Sequence, residues 1–441
     1  MLFRDLLHAY PLSPRVAKQW IAALPTPGFS PFDAAAIIIV LAASFSYVNA
    51  RFIKLPQTIG LTILGAVLSV LIIGIGRLFP QLGLIHAAKG FVDGLDFRST
   101  LLDGMLSFLL FAGAFQINLA DMRGGRWAIL VLSSVGTVLS TAIVGFGLKL
   151  LLMATGPDLP LTWCFVFGAL ISPTDPVAVI AILRKAVMPA TIQATVAAES
   201  LLNDGVGVVV FSIVFAAATG SGDLTLGTAT GLFAMEAGGG IAFGLAVGAI
   251  AFYALRGIDD YVVEVLITLA TVMGGYAVAQ AAGVSGPVAM AVAGLILGNQ
   301  GFRLALHDAT KDHVVQFWEL IDEILNAVLF LLIGLEAIAV WTDARIMLVA
   351  AATIPIVLLA RLLSVALPLM LLRPFESLGR GALPILWWGG LRGGISIALA
   401  LSIPKGPGQP LILAATYAVV FFSVLVQGAT IGRLAARYRT A

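Results

Sequence analysis

The stretch 196-VAAESLLNDGVGVVVFSIVFAAAT-219 decides how the whole chain is read. From Val206 to Ala218 every residue is small or compatible with lipid, yet the first third carries Glu199, Ser200, Asn203 and Asp204. A lone carboxylate at the centre of a bilayer costs about 2.5–3.5 kcal/mol even on the insertion scale. Glu199 and Asn203 are four apart, and so are Ser200 and Asp204, so all four share one helical face. That patch must face protein rather than lipid.

Working outward, the 441 residues are 60% hydrophobic and only 11% charged, with a mean hydropathy of +1.04. A soluble domain carries about a quarter charged residues, so this is an all-α polytopic membrane protein. A net charge of +2 gives no electrostatic case for nucleic acid. The one cysteine, Cys164, lies in an apolar run and reads as a small packing residue. Five prolines between Pro11 and Pro31 shorten any helix there, which leaves 1–32 as an N-terminal interfacial segment rather than a cleavable signal. The short C-terminus sets the expectation of no regulatory or nucleotide-binding tail.

Runs long enough to cross a bilayer suggest about thirteen transmembrane helices. They fall near 33–50, 57–78, 101–118, 127–154, 161–183, 190–218, 226–255, 261–282, 285–299, 314–340, 346–371, 381–403 and 410–433. Placing the N-terminus outside puts Arg51 and Lys54, Arg123 and Arg126, Arg184 and Lys185, and Arg433 and Arg437 on the inner side. This bias sets an N-out, C-in orientation.

Two spans are interrupted. In 170-LISPTDPVAVIAILRK-185, Pro173 and Pro176 flank Thr174 and Asp175. Two prolines three apart remove backbone donors and clash with the preceding turn, so the helix should break. In 387-WWGGLRGGISIALALSIP-404, Arg392 sits among Gly389, Gly390, Gly393 and Gly394. Broken backbone at membrane depth survives only inside protein or beside water. Interrupted spans at corresponding positions in two halves point to inverted repeats with a site between them.

Buried charges are normally paired. Glu199 reads best as half of a structural ion pair, with Arg361 as its partner and Arg392 as second choice. That leaves Asp175 and Asp204 without enough arginines to neutralise both, and makes them candidates for function. Asn203 could bind or merely orient a neighbour. Asp103, Glu236, Glu264, Asp322, Glu323 and Glu336 lie nearer span ends or in plainer settings. His8, His86, His307 and His313 lie in connections or the terminus, where solvated loops are the better reading.

SPTDPVAV, ESLLNDGVGVV and GLRGGISIALALSIP, in that order, closely resemble the monovalent cation:proton antiporters, in the electroneutral sodium/proton exchanger branch and its tail-less prokaryotic form. The resemblance covers essentially the whole membrane part. It implies a fold of two bundles with two crossed discontinuous helices. The ion-binding core would be 125–219 and 344–441, the dimerisation scaffold 33–124 and 258–343, and the linker span 220–257. It implies Asp204 as the carrier of either proton or cation, with Asp175, Thr174, Ser200 and Asn203 at the cation/proton site and sodium held at Asp204, Asp175, Thr174 and Ser200. It implies Glu199, Arg361 and Arg392 as the charge-balancing set, a homodimer, and an inner-membrane location. The departure is at 111-FAGAFQINLADMR-123, where many relatives carry a glutamate at the position of Ala112.

The expected activity is exchange of sodium or lithium for protons, with a potassium/proton antiporter of the same fold as the alternative. A channel would line a continuous pore rather than gather its charges in one cluster. An intramembrane aspartyl protease needs other contexts around its acids than PTDP and NDG. No Walker A motif, nucleotide fingerprint or metal-ligand spacing occurs, so no cofactor and no enzymatic activity is expected; the cargo would be Na+ and H+.

Overall fold

The computed structural model describes residues 31–84, 104–155, 159–220, 225–301, 308–336, 344–372, 378–379, 381–406 and 408–438. The interfacial segment up to residue 30, Asp103, His8, His86 and His307 lie outside the described residues. The chain is all-helical. Among the described residues there is no strand, only one isolated antiparallel bridge between Asp175 and Leu391.

In chain order the helices are α1 (Pro31–Val48), α2 (Gln57–Leu78), α3 (Leu106–Gln116), α4 (Leu119–Thr155), α5 (Leu161–Ile171) and α6 (Val177–Lys185). There follow α7 (Ala190–Ala218), α8 (Gly227–Leu255), α9 (Tyr261–Ala281), α10 (Gly286–Ile296) and α11 (Asp308–Leu335). The last are α12 (Ala344–Leu372), α13 (Ala382–Trp388), α14 (Gly394–Leu401) and α15 (Gln409–Ala436). Among the described residues, 8 helices are long and apolar enough to cross a membrane. Ile39, Leu71, Leu150, Ile250 and Met370 stand exposed on their outer faces. So much exposed apolar surface is at home only against lipid.

Local chemistry explains the element ends that matter. Helix α5 ends at Ile171; Ser172 still has helical dihedrals, but Pro173 after it has no N–H to carry the ladder on and its ring crowds the preceding turn. Pro176 then starts α6, whose first turn is closed by Asp175 accepting from Val177 N at 2.9 Å. Pro355 and Pro368 lie inside α12 without ending it. It is the closely spaced pair that breaks α5 from α6, not proline as such. Between α13 and α14 the glycines do the same work.

Hydroxyls and glycines set the packing. Thr62 Oγ1 on α2 donates to Phe330 O at 3.2 Å, and Ser69 Oγ to Leu335 O at 2.9 Å. Between them Gly65 meets Gly334, where a Cβ on Gly334 would lie 2.9 Å from the Gly65 Cα. Small residues of this kind let membrane helices approach closely. Trp318 of α11 is fully buried, packs at a tilt against Phe111 of α3 with centroids 4.6 Å apart, and donates to Thr268 of α9 at 3.1 Å. Polar and aromatic ties therefore bind α2, α3, α9 and α11 into one group. Tyr417 of α15 reaches towards it, donating to Glu336 just beyond α11 at 3.3 Å.

Candidate ion site at the helix breaks

Proline and glycine leave the two breaks with unsatisfied backbone groups, and the structure satisfies them against each other. Asp175 N donates to Leu391 O at 2.8 Å, joining the two breaks directly. Arg392 donates to the carbonyls of Ser172, and of Pro173 at 2.9 Å. Those carbonyls lost their helical donors when α5 ended. Arg392 thus takes no part in an ion pair with Glu199; the second-choice pairing of the sequence gives way to carbonyl binding. Gly393 lies against Asp175, where a Cβ would stand 2.5 Å from Oδ2. Glycine is required there by close approach.

On α7 the helical spacing puts the polar patch against this junction. Thr174 Oγ1 and Ser200 Oγ are 3.0 Å apart. Asn203 accepts from Thr174 N at 3.1 Å and donates to Thr174 Oγ1 at 2.8 Å and to Glu199 Oε1 at 2.9 Å. Its amide is therefore occupied in tying the break to Glu199. Glu199 receives both ends of the Arg361 guanidinium, Nη1 at 2.8 Å and Nη2 at 2.9 Å. Arg361 also donates to Leu386 O from Nε and Nη2. Both partners are buried, and a bidentate pair is the strongest arrangement open to them. Arg361 is thus spent on Glu199, whereas Arg392 binds carbonyls through Nη1 and keeps a buried Nη2 with no hydrogen-bond partner among the described residues.

Asp204 is left over. It is 7% exposed and, among the described residues, has no hydrogen bond or ion pair. It lines a cavity of about 460 Å³ together with Thr174, Asp175 and Ser396. Asn118, Asp121, Arg184 and Glu319, all exposed, line it too. The same space is thus bordered by charged surface and by the buried carboxylate. Asp175 keeps Oδ1 on Val177 N, which leaves Oδ2 available. Thr174, Asp175, Ser200, Asn203, Asp204, Glu199, Arg361 and Arg392 are therefore all brought to one junction. Oxygen donors of this type suit a hard cation, and nothing softer is offered.

Sequence reasoning passed over the opposite wall. Gln116, Asp322 and Asn326 line the same cavity. Glu319, Asp322, Glu323 and Asn326 repeat at three and four residues, the spacing that made Glu199 and Asn203 conspicuous, and that was the available signal. Ser140, Thr141 and Ser172 were also missed; they form a hydroxyl chain behind the break, with bonds of 3.0 and 3.2 Å. Ala112 is fully buried and does not line the cavity; of α3, Leu106, Leu109, Leu110, Gly113 and Gln116 do. His313 is exposed, at the start of α11.

Comparison with known proteins places this arrangement. Residues 38–437 match a family described as sodium/hydrogen exchanger, transmembrane. The Na(+)/H(+) antiporter NhaP of Pseudomonas aeruginosa is 43% identical over 410 residues, covering 92% of this chain and 96% of its own length. The Na(+)/H(+) antiporter NhaH of Halobacillus dabanensis is 32% identical over 401 residues, covering 90% and 95%. The solved structure of the sodium proton antiporter MjNhaP1 from Methanocaldococcus jannaschii superimposes with a TM-score of 0.71 at 20% identity, covering 93% of this chain and 99% of that one. This last likeness is one of fold.

Proposed function

The chain belongs to the sodium/hydrogen exchanger family, and from that premise we propose that it is a secondary active antiporter exchanging sodium or lithium for protons. The observation that carries the reading is Asp204: a buried carboxylate with no hydrogen bond or ion pair among the described residues, lining a cavity that exposed charged residues also line. Such a group binds a proton or a cation, but not both well. Two ligands competing for one carboxylate give exchange, provided the empty charged carrier does not cross. The relatives compared above are named for sodium, which favours it over the potassium alternative.

In this reading Asp204, Asp175 Oδ2, the Thr174 and Ser200 hydroxyls and water surround the cation. Asn203 positions the break and cannot carry a second proton, so one proton exchanges for one sodium and no net charge moves. Arg361 is held on Glu199, and Arg392, fixed on the carbonyls, adds its positive charge to the electrostatic balance at Asp204.

The reading has about thirteen spans, with α5–α6 and α13–α14 as single discontinuous spans crossing at Asp175 and Leu391. The core is 125–219 with 344–441, the scaffold 33–124 with 258–343, and 220–257 the linker. Polar ties within each group support this division. The core rocks against the scaffold to give alternating access. The protein lies in the plasma membrane as a homodimer with its N-terminus outside and C-terminus inside. The side of the cavity lined by Arg184 and Asp121 faces the cytoplasm.

The test is exchange in proteoliposomes with an imposed pH gradient and a lumenal pH dye, with sodium, lithium or potassium added in turn. Sodium and lithium should collapse the gradient, a voltage clamp should leave the rate unchanged, and Asp204→Asn should be silent. A wild-type rate in Asp204→Asn would overturn the carrier assignment. Potassium acting alone would move the activity to the other cation.

A further inference from the structure

The cavity has two walls, and only one of them carries the breaks. The other is built by α3 and α11. Here Asp322 is fixed from two sides. Gln116 Nε2 of α3 donates to Oδ2 at 3.4 Å, and Asn326 Nδ2, one turn on, donates to Oδ1 at 3.0 Å. Both donors are neutral. They orient the carboxylate without compensating its charge, and among the described residues no cation pairs with it. An independent observation lies across the cavity, where Asp204 is buried, unpartnered and lines the same space. Asp322 on α11 and Asp204 on α7 thus share one cavity, neither in an ion pair among the described residues, with Asp175 of the break between α5 and α6 beside them.

We infer that Asp322 is a staging carboxylate for the transported monovalent cation, drawing it from the cavity mouth and passing it to Asp204. This rests on the antiporter reading and on α11 belonging to the stationary group. The bonds to α2, α3 and α9 hold α11 in that group. Asp204 travels with α7, whereas Asp322 stays behind. Its attraction therefore acts only while the ion site faces this cavity. Cation affinity is raised from one face of the membrane and not from the other. A carboxylate that moved with the core would raise both.

The experiment measures sodium-driven proton release in inside-out and right-side-out membrane vesicles of wild type and Asp322→Asn. From the cavity face the sodium KM should rise about three- to tenfold, the size of a screened interaction between unit charges. From the opposite face it should not change, and the maximal rate should hold on both. Asp322→Glu should restore the wild-type KM. Gln116→Lys, which neutralises Asp322 without replacing it, should reproduce the one-sided rise and covers the case in which Asp322→Asn fails to fold. An unchanged KM at the cavity face overturns the inference. So does an equal rise on both faces, since that marks a structural role. Wild-type vesicles that show no sodium-driven release would instead refute the antiporter reading.

Discussion

At Glu199 the cost of a charge in the membrane is met by three donated hydrogen bonds, two from Arg361 and one from Asn203. Removing one partner of such a pair leaves a buried charge uncompensated, which costs about 3–5 kcal/mol. Arg361→Ala should therefore lower the thermal stability of the detergent-solubilised protein sharply, and Glu199→Gln should recover part of it in the double variant. Size-exclusion profiles after a heating series report both. An unchanged melting profile in Arg361→Ala would mean that the pair contributes nothing to the fold. Asp204 is the contrasting case: with no partner in the fold, Asp204→Asn should leave stability intact while it stops exchange.

Among the elements, the two breaks were legible for a physical reason. Proline pairs and glycine clusters change what backbone can do, and that information is local. The polar face of α7 was legible because helical spacing is local too. The bond from Asp175 N to Leu391 O was not, since nothing in either stretch says which carbonyl the other offers. Arg392 was read as a partner for an acid, yet it binds carbonyls that become free only once α5 has ended. Asp322 was set aside because its neighbours are plain, and its setting comes from Gln116, 206 residues away. At the break itself Gly393 allows α14 to begin against Asp175. Gly393→Ala should keep the protein folded but displace that carboxylate, lowering sodium-driven exchange by at least about tenfold, as misplacing a positioned group by an ångström commonly does. A full rate in proteoliposomes would show that the Asp175 carboxylate has no part in the site.

On the scale of the whole molecule, the proposed exchange requires one group of helices to move past another. Gly428 of α15 meets Ile59 of α2, where a Cβ would lie 3.1 Å from Cδ1. An Ile59→Cys, Gly428→Cys protein should form a disulfide on mild oxidation, stop exchange, and regain it on reduction. Native Cys164 is fully buried and should stay out of that chemistry. Undiminished exchange with the disulfide formed would mean that these two helices do not part during transport. The seam between α2 and α11 has a consequence in time as well. Thr62 and its acceptor Phe330 are 268 residues apart, and at about 5–20 residues per second synthesis takes on the order of 10–50 s to cover that distance. Throughout that interval α2 waits in the bilayer without its partner. Thr62 can wait because its hydroxyl also bonds Thr58 O within its own helix, at 2.9 Å. Ser69 takes its acceptors from Gly334 and Leu335, so its side of the seam closes only after those late residues have emerged. A ribosome stalled before residue 330 would hold α2 in the membrane with its glycine face still open.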